Sequence, residues 1–179
     1  MIYMFLADGF EEIEALCPLD LMRRAGLEVT TVGIGSRSVR GAHGITVEAD
    51  MADGDYSDPS PTMIFLPGGM PGTLNLAASP VVLDAIRVAV SRDAYIAAIC
   101  AAPSILGDLG LLKGREATCY PGFEDRLHGA ILSDKRLVLD GKIMTARGMG
   151  VALEMGLSIV SLFCGKEKAD ALRSAVIAD

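Results

Sequence analysis

The stretch AYIAAICAAPSIL, residues 94–106, sets one cysteine, Cys100, between two runs of small and branched apolar residues, with Pro103 three places on. A β-prone run, a cysteine and then a helix-starting proline make the order strand, nucleophile, helix. The turn of such a nucleophile elbow is so sharp that the residues two before and two after the reactive side chain must be small. Ala98 and Ala102 meet that demand. A thiol at this corner lies near the positive end of a helix dipole and near free backbone N–H groups, both of which favour thiolate. The same N–H groups can hold an oxyanion, and the Pro67-Gly68-Gly69 loop can bring a second donor close. Core packing is the competing reading for any free cysteine. It is the reading for Cys17 and Cys164, inside apolar helical faces, and for Cys119, after a short strand, whereas position favours chemistry for Cys100.

A reactive thiol needs a proton acceptor. The acidic run Glu11-Glu12-Ile13-Glu14 opens the first helical segment, where carboxylates complement the dipole without any further role. At about 100° per residue, Ile13, Leu16, Cys17 and Leu21 define the buried face, with Glu11 outside and Glu12 and Glu14 flanking it. One of the two flanking carboxylates can lean toward Cys100, and spacing does not choose between them. The usual base beside a cysteine is histidine. Only His43, in a hairpin, and His128, in a polar segment, exist, and both are expected to face solvent, which disfavours a Cys-His protease pair.

The elements that would position these groups alternate. MIYMFL reads as a buried strand closed by the Asp8-Gly9 turn, followed by a helix from Glu11 to Ala25 that Gly26 stops. EVTTVGI (28–34) is a second strand, VRGAHGITVEA (39–49) a hairpin, and TMIFL (62–66) a strand running into Pro67-Gly68-Gly69. Ser79-Pro80 starts a helix to about Arg92, YIAAI (95–99) is the next strand, and Pro103 to Leu109 the next helix. RLVLDGKIMTAR (136–147) folds back on Asp140-Gly141, and two helices follow, from about Met149 to Cys164 and from Lys166 to Val176. Strands alternating with helices predict an α/β layered domain with a mainly parallel sheet, whose ligands sit beyond the strand carboxyl ends. Asp8 to Glu14, Pro67 to Gly72 and Cys100 to Pro103 all arrive at that edge.

Composition narrows the function classes. The 179 residues, 51% hydrophobic, suit one core and a single domain over 1–179. Lys and Arg number 16 against 23 Asp and Glu, a net charge of −7, which disfavours a nucleic-acid partner. Prolines and glycines interrupt the uncharged stretch 59–83, so no membrane span is expected. The opening run has no basic leader, and the four cysteines form no CxxC pair; a reduced, cytoplasmic protein without a metal site is the expectation. Gly33 to Ser38 lacks the third glycine of a dinucleotide loop, so no nucleotide cofactor is expected either.

Taken together and in order, LADGFEEIEA, FLPGGMPG, AAICAAPSIL and TARGMG resemble the ThiJ/PfpI family, in the branch that contains the Parkinsonism-associated deglycase. The likeness runs almost end to end. It implies a flavodoxin-like three-layer sandwich, a homodimer, and an elbow cysteine at Cys100. It also implies that Glu14 is the carboxylate hydrogen-bonded to the sulfur, that Gly69 and Ala101 are the backbone donors, and that no cofactor is used. The activity it implies is glutathione-independent glyoxalase or deglycase chemistry on reactive dicarbonyls or their adducts, in protection against carbonyl and oxidative stress. The alternatives are a redox-sensing or chaperone-like role through oxidation of Cys100 and, last, an amidase or peptidase. Three positions depart from the family pattern: Ala101 and Tyr120 stand where branches carry histidine, and Met149 where relatives carry proline.

Overall fold

The structure is a computed structural model that describes residues 1–178. In chain order its elements are β1 (Ile2–Leu6), α1 (Glu12–Arg24), β2 (Val29–Gly33), β3 (Ser38–Arg40), β4 (Thr46–Glu48), β5 (Met51–Ala52), β6 (Met63–Leu66), α2 (Gly72–Ala78), α3 (Pro80–Ser91), β7 (Tyr95–Ile99), α4 (Pro103–Asp108), β8 (Glu116–Ala117), β9 (Ile131–Leu132), β10 (Leu137–Asp140), β11 (Ile143–Ala146), α5 (Ala152–Cys164) and α6 (Lys166–Ala175). Seven strands form one sheet in the order β10-β11-β7-β6-β1-β2-β5. All neighbours in it are parallel except the β10–β11 hairpin.

Successive strand residues face opposite sides, and the sheet uses both. Tyr3, Phe5, Ile64, Leu66, Ile96 and Ala98 pack beneath Leu76, Val82, Ile86 and Ile105 of α2, α3 and α4. Ile2, Met4, Leu6, Met63, Phe65 and Ala97 pack against Ala15, Leu19, Met22, Met155 and Ile159 of α1 and α5. Helices on both faces of a mainly parallel sheet are the flavodoxin-like three-layer arrangement. Ser79 caps α3 by accepting the Val82 amide at 3.4 Å, ahead of Pro80 at the first helical position. Among the described residues no single helix is long and apolar enough to cross a membrane.

Helix α2, seven residues that begin with Gly72 and carry no amphipathic repeat, has no counterpart in the sequence reading. Two expectations need correction. The face of α1 is rotated: Ile13 is 49% exposed, whereas Glu12 and Glu14 are 3% and 1% exposed, and Glu11 is half-buried instead of outside. The buried stripe is Glu12, Ala15, Leu19 and Met22, a helical repeat whose first member is a carboxylate held by hydrogen bonds, so that counting apolar residues misplaces it. Cys164, expected in the core, is exposed at the end of α5, while Cys17 is half-buried and Cys119 buried.

Candidate functional site

Cys100 follows β7 directly, with φ of 64°, in the left-handed region that L residues avoid at a cost of about 1–3 kcal/mol. Hydrogen bonds hold it there. Its amide donates to the Ala146 carbonyl at 2.9 Å, and its carbonyl accepts the Tyr120 amide at 2.8 Å. Ala98 and Ala102 on either side are fully buried, which explains why the elbow needs small residues at those places. The sulfur is half-buried and is faced by the backbone amides of Ala101 and Gly69.

Glu14, on the first turns of α1, reaches the same point from β1's side of the edge. Its carboxyl group hydrogen-bonds Cys100, its Oε2 accepts the Gly68 amide at 3.0 Å, and the Met149 amide also points to it. Of the two flanking carboxylates, it is therefore Glu14 that meets the sulfur. Glu12 turns to the β3–β4 hairpin, where it accepts the His43 amide at 2.8 Å, His43 Nδ1 at 2.9 Å and the Ile45 amide at 3.4 Å. His128 lies beside Asp108, so both imidazoles are tied up away from Cys100, with their rings exposed as expected.

Burial pushes Glu14 up to about 7, against the hydrogen bonds from Cys100 and Gly68. Burial first, and then the facing Glu14 charge, push Cys100 up to about 12 in spite of the Ala101 and Gly69 amides. The two groups thus titrate as a unit: it releases one proton near neutrality and resists losing the second. This corrects the free thiolate expected at the elbow. Helix α4 has only six residues, and a negative carboxylate opposes its dipole.

Several parts of the site left little trace in the sequence. A methyl group on Gly68 would come within 2.6 Å of both Cys100 Cβ and Glu14 Oε2, so the residue is glycine because the pair closes over it. Gly68 was visible only as part of a flexible loop. Tyr120 packs its ring against Gly148, where an added Cβ would sit 3.3 Å from Tyr120 Cδ2 and 3.7 Å from Glu14 Oε1. The contribution of Met149 is a main-chain group, which side-chain identity does not reveal.

Comparison with known proteins agrees with this architecture. The chain is 33% identical over 164 residues to the glutathione-independent glyoxalase DJR-1.2 of Caenorhabditis elegans, covering 90% of this chain and 87% of that protein. It is 37% identical over 167 residues to protein DJ-1 homolog B of Arabidopsis thaliana, covering 92% of this chain but only 38% of that longer protein. The solved structure of Toxoplasma gondii DJ-1, oxidized, superposes with a TM-score of 0.94 at 31% identity, covering 98% of this chain and 97% of the other. Residues 1–162 match the DJ-1/PfpI family, and the chain, with its elbow cysteine and full sandwich, belongs to that family.

Proposed function

We propose that the protein is a cysteine-dependent enzyme acting on small reactive dicarbonyls such as methylglyoxal, or on their early adducts with amines and thiols. The observation that carries the reading is the hydrogen-bonded pair of Cys100 and Glu14 at the elbow. Its likeness to a relative described as a glutathione-independent glyoxalase supports it.

In this reading Cys100 sulfur adds to the aldehyde carbon while Glu14 takes the thiol proton. The oxygen of the new hemithioacetal rests on the Gly69 and Ala101 amides, which face the sulfur beforehand. Glu14 hands the thiol proton to that oxygen and, ionised again, removes the proton from the sulfur-bearing carbon; its return to the neighbouring carbon, with the hydroxyl proton passing to the neighbouring oxygen, gives a 2-hydroxy thioester. Water cleaves the thioester to the hydroxy acid and restores the thiol. A carboxyl group that titrates near neutrality is suited to both proton transfers. Addition to a free aldehyde expels no amine, so no imidazolium acid is required, which fits a site that both histidines avoid and ranks amidase or peptidase chemistry last. A homodimer in the cytoplasm is part of the same proposal, by family likeness.

The test compares lactate formed from methylglyoxal by the wild type, Cys100→Ser and Glu14→Gln. Loss in both variants is expected, and equal lactate from all three removes the reading. A second reading, oxidation of Cys100 to a sulfinate that alters partner binding or chaperone behaviour, is favoured by the half-buried sulfur facing two amides and a carboxyl group. Mass spectrometry after mild peroxide treatment decides it: oxidation concentrated on Cys17 or Cys164 counts against.

A further inference from the structure

A cavity of about 230 Å³ is lined in part by Thr118, Cys119, Glu124, Ser133, Asp134 and Arg147. Arg147 is the unusual member. The neighbouring arginines Arg115, Arg126 and Arg136 are each paired with a carboxylate, Asp140, Asp108 and Glu154 respectively. The side chain of Arg147 makes one hydrogen bond among the described residues, from Nη1 to the Asp134 carbonyl at 3.4 Å. Its remaining guanidinium donors have no acceptor among the described residues.

Arg147 acts on Glu124 and Cys119 across the cavity through its charge, without a close ion pair to either among the described residues. Thr118 is 3% exposed, its amide is used by Thr145 Oγ1 at 3.0 Å, and its own hydroxyl forms no hydrogen bond among the described residues. Cys119 is a neutral thiol, held well above its ordinary range by burial first and then by the Glu124 charge. Glu124 Oε2 is turned to the Gly122 amide, which it accepts at 2.6 Å. The Ser133 hydroxyl donates to Glu116 Oε1 at 2.7 Å and accepts the Lys135 amide at 3.4 Å, which leaves one lone pair for an incoming donor. A guanidinium with free donors and the Thr118 hydroxyl in one recess suit an anion that also carries a hydroxyl or carbonyl group. At about 230 Å³ the recess holds the volume of roughly seven waters, enough for a three- or four-carbon acid. The carboxylates of Glu124 and Asp134 in the wall disfavour a second negative charge on the ligand.

We propose that this cavity binds a small 2-hydroxy or 2-oxo monocarboxylate, its carboxylate on Arg147 and its 2-oxygen toward Thr118 and Ser133. The identification of the ligand class rests on the dicarbonyl reading, since such an acid is what that reaction releases. The cavity also adjoins the site through the main chain. Cys119 precedes Tyr120, whose amide holds the Cys100 carbonyl, and Arg147 lies two residues before Met149, whose amide points to Glu14. Occupancy there places a product-like acid against both supports of the pair.

The test uses the full chain carrying Cys100→Ser, which does not turn over, followed by amide and arginine side-chain nitrogen resonances during titration. Sodium L-lactate is compared with L-lactamide and with sodium chloride at equal ionic strength. Saturable shifts at Arg147, Cys119 and Ser133 with lactate alone are expected, weakened about tenfold by Arg147→Gln, the scale of one lost charge-assisted contact. Thr118→Val, which keeps shape and charge, should weaken lactate several-fold and serves if Arg147→Gln does not fold. Equal shifts with lactamide or chloride, shifts confined to the Cys100 edge, or unchanged affinity in the variants would overturn the proposal. Because no turnover is involved, that outcome is separate from wild-type lactate formation, which tests the dicarbonyl reading.

Discussion

Glu14 and Cys100 meet because Gly68 has no side chain: the Gly68 amide holds Glu14 Oε2 at 3.0 Å, and its Cα faces the Cys100 Cβ at a distance that admits only hydrogen. Gly68→Ala therefore forces a methyl group to within 2.6 Å of both partners. We expect a loss of about 1–3 kcal/mol of stability, as for an overpacked core, and a larger proportional loss of dicarbonyl turnover. Thermal unfolding and lactate formation measured on the same preparation check this. Unaltered turnover would show that the pair does not need its close contact.

The coupling between Glu14 and Cys100 should show in the reactivity of Cys100. In the wild type, the rate of iodoacetamide alkylation at Cys100 should inflect near pH 7, where burial places the Glu14 titration. In Glu14→Gln that inflection should vanish, leaving the titration of a single thiol. Peptide mapping separates Cys100 from the exposed Cys164. An identical profile in both proteins would mean that the two groups titrate independently.

Glu14 also links stability to pH. Its folded-state pKa is raised from 4.5 to about 7, chiefly by burial. The native state therefore binds the proton more tightly than the unfolded state does. The stability this contributes is fully present below about 4.5, declines as pH rises, and is gone above about 7. Relative to wild type, Glu14→Gln should gain stability between those limits by an amount on the order of 3 kcal/mol, and then stay level. Urea unfolding across that range is the measurement, and a constant difference between the two proteins would contradict the assignment.

The β3–β4 hairpin should be held most firmly in an intermediate pH window. Burial alone would raise Glu12, but the bonds from His43 and Ile45 outweigh it and lower it below 4.5, so its contribution is lost as pH falls through the folded value. The Glu12 hydrogen bond raises His43 above 6.5, so its contribution is present below 6.5 and lost as pH rises through the folded value. Hydrogen exchange at the His43 and Ile45 amides should be slowest in proportion to intrinsic rates between those limits, and His43→Ala should abolish the alkaline rise. Glu12→Gln should accelerate exchange throughout.

Much was legible in the chain itself, for reasons that are local. Tyr95–Ile99 was read as a strand to the residue, and the turn that follows was recognised, because β-branched runs, alanines flanking a cysteine and a first-turn proline act over a few residues. The resemblance carried by LADGFEEIEA and AAICAAPSIL brought the layered fold and Glu14 with it.

What required the tertiary structure was every property that depends on a partner distant in sequence. Ile13 and Glu12 exchange their expected places because hydrogen bonds from the hairpin make a buried carboxylate tolerable, and a helical periodicity contains no record of those donors. The protonation of Cys100 likewise follows from desolvation and a facing charge, which outweigh the local dipole that its position in the chain suggests. Residue type and spacing determined where a nucleophile could stand. Burial and the groups packed around it decided that its partner is Glu14 and that its thiol resists ionisation.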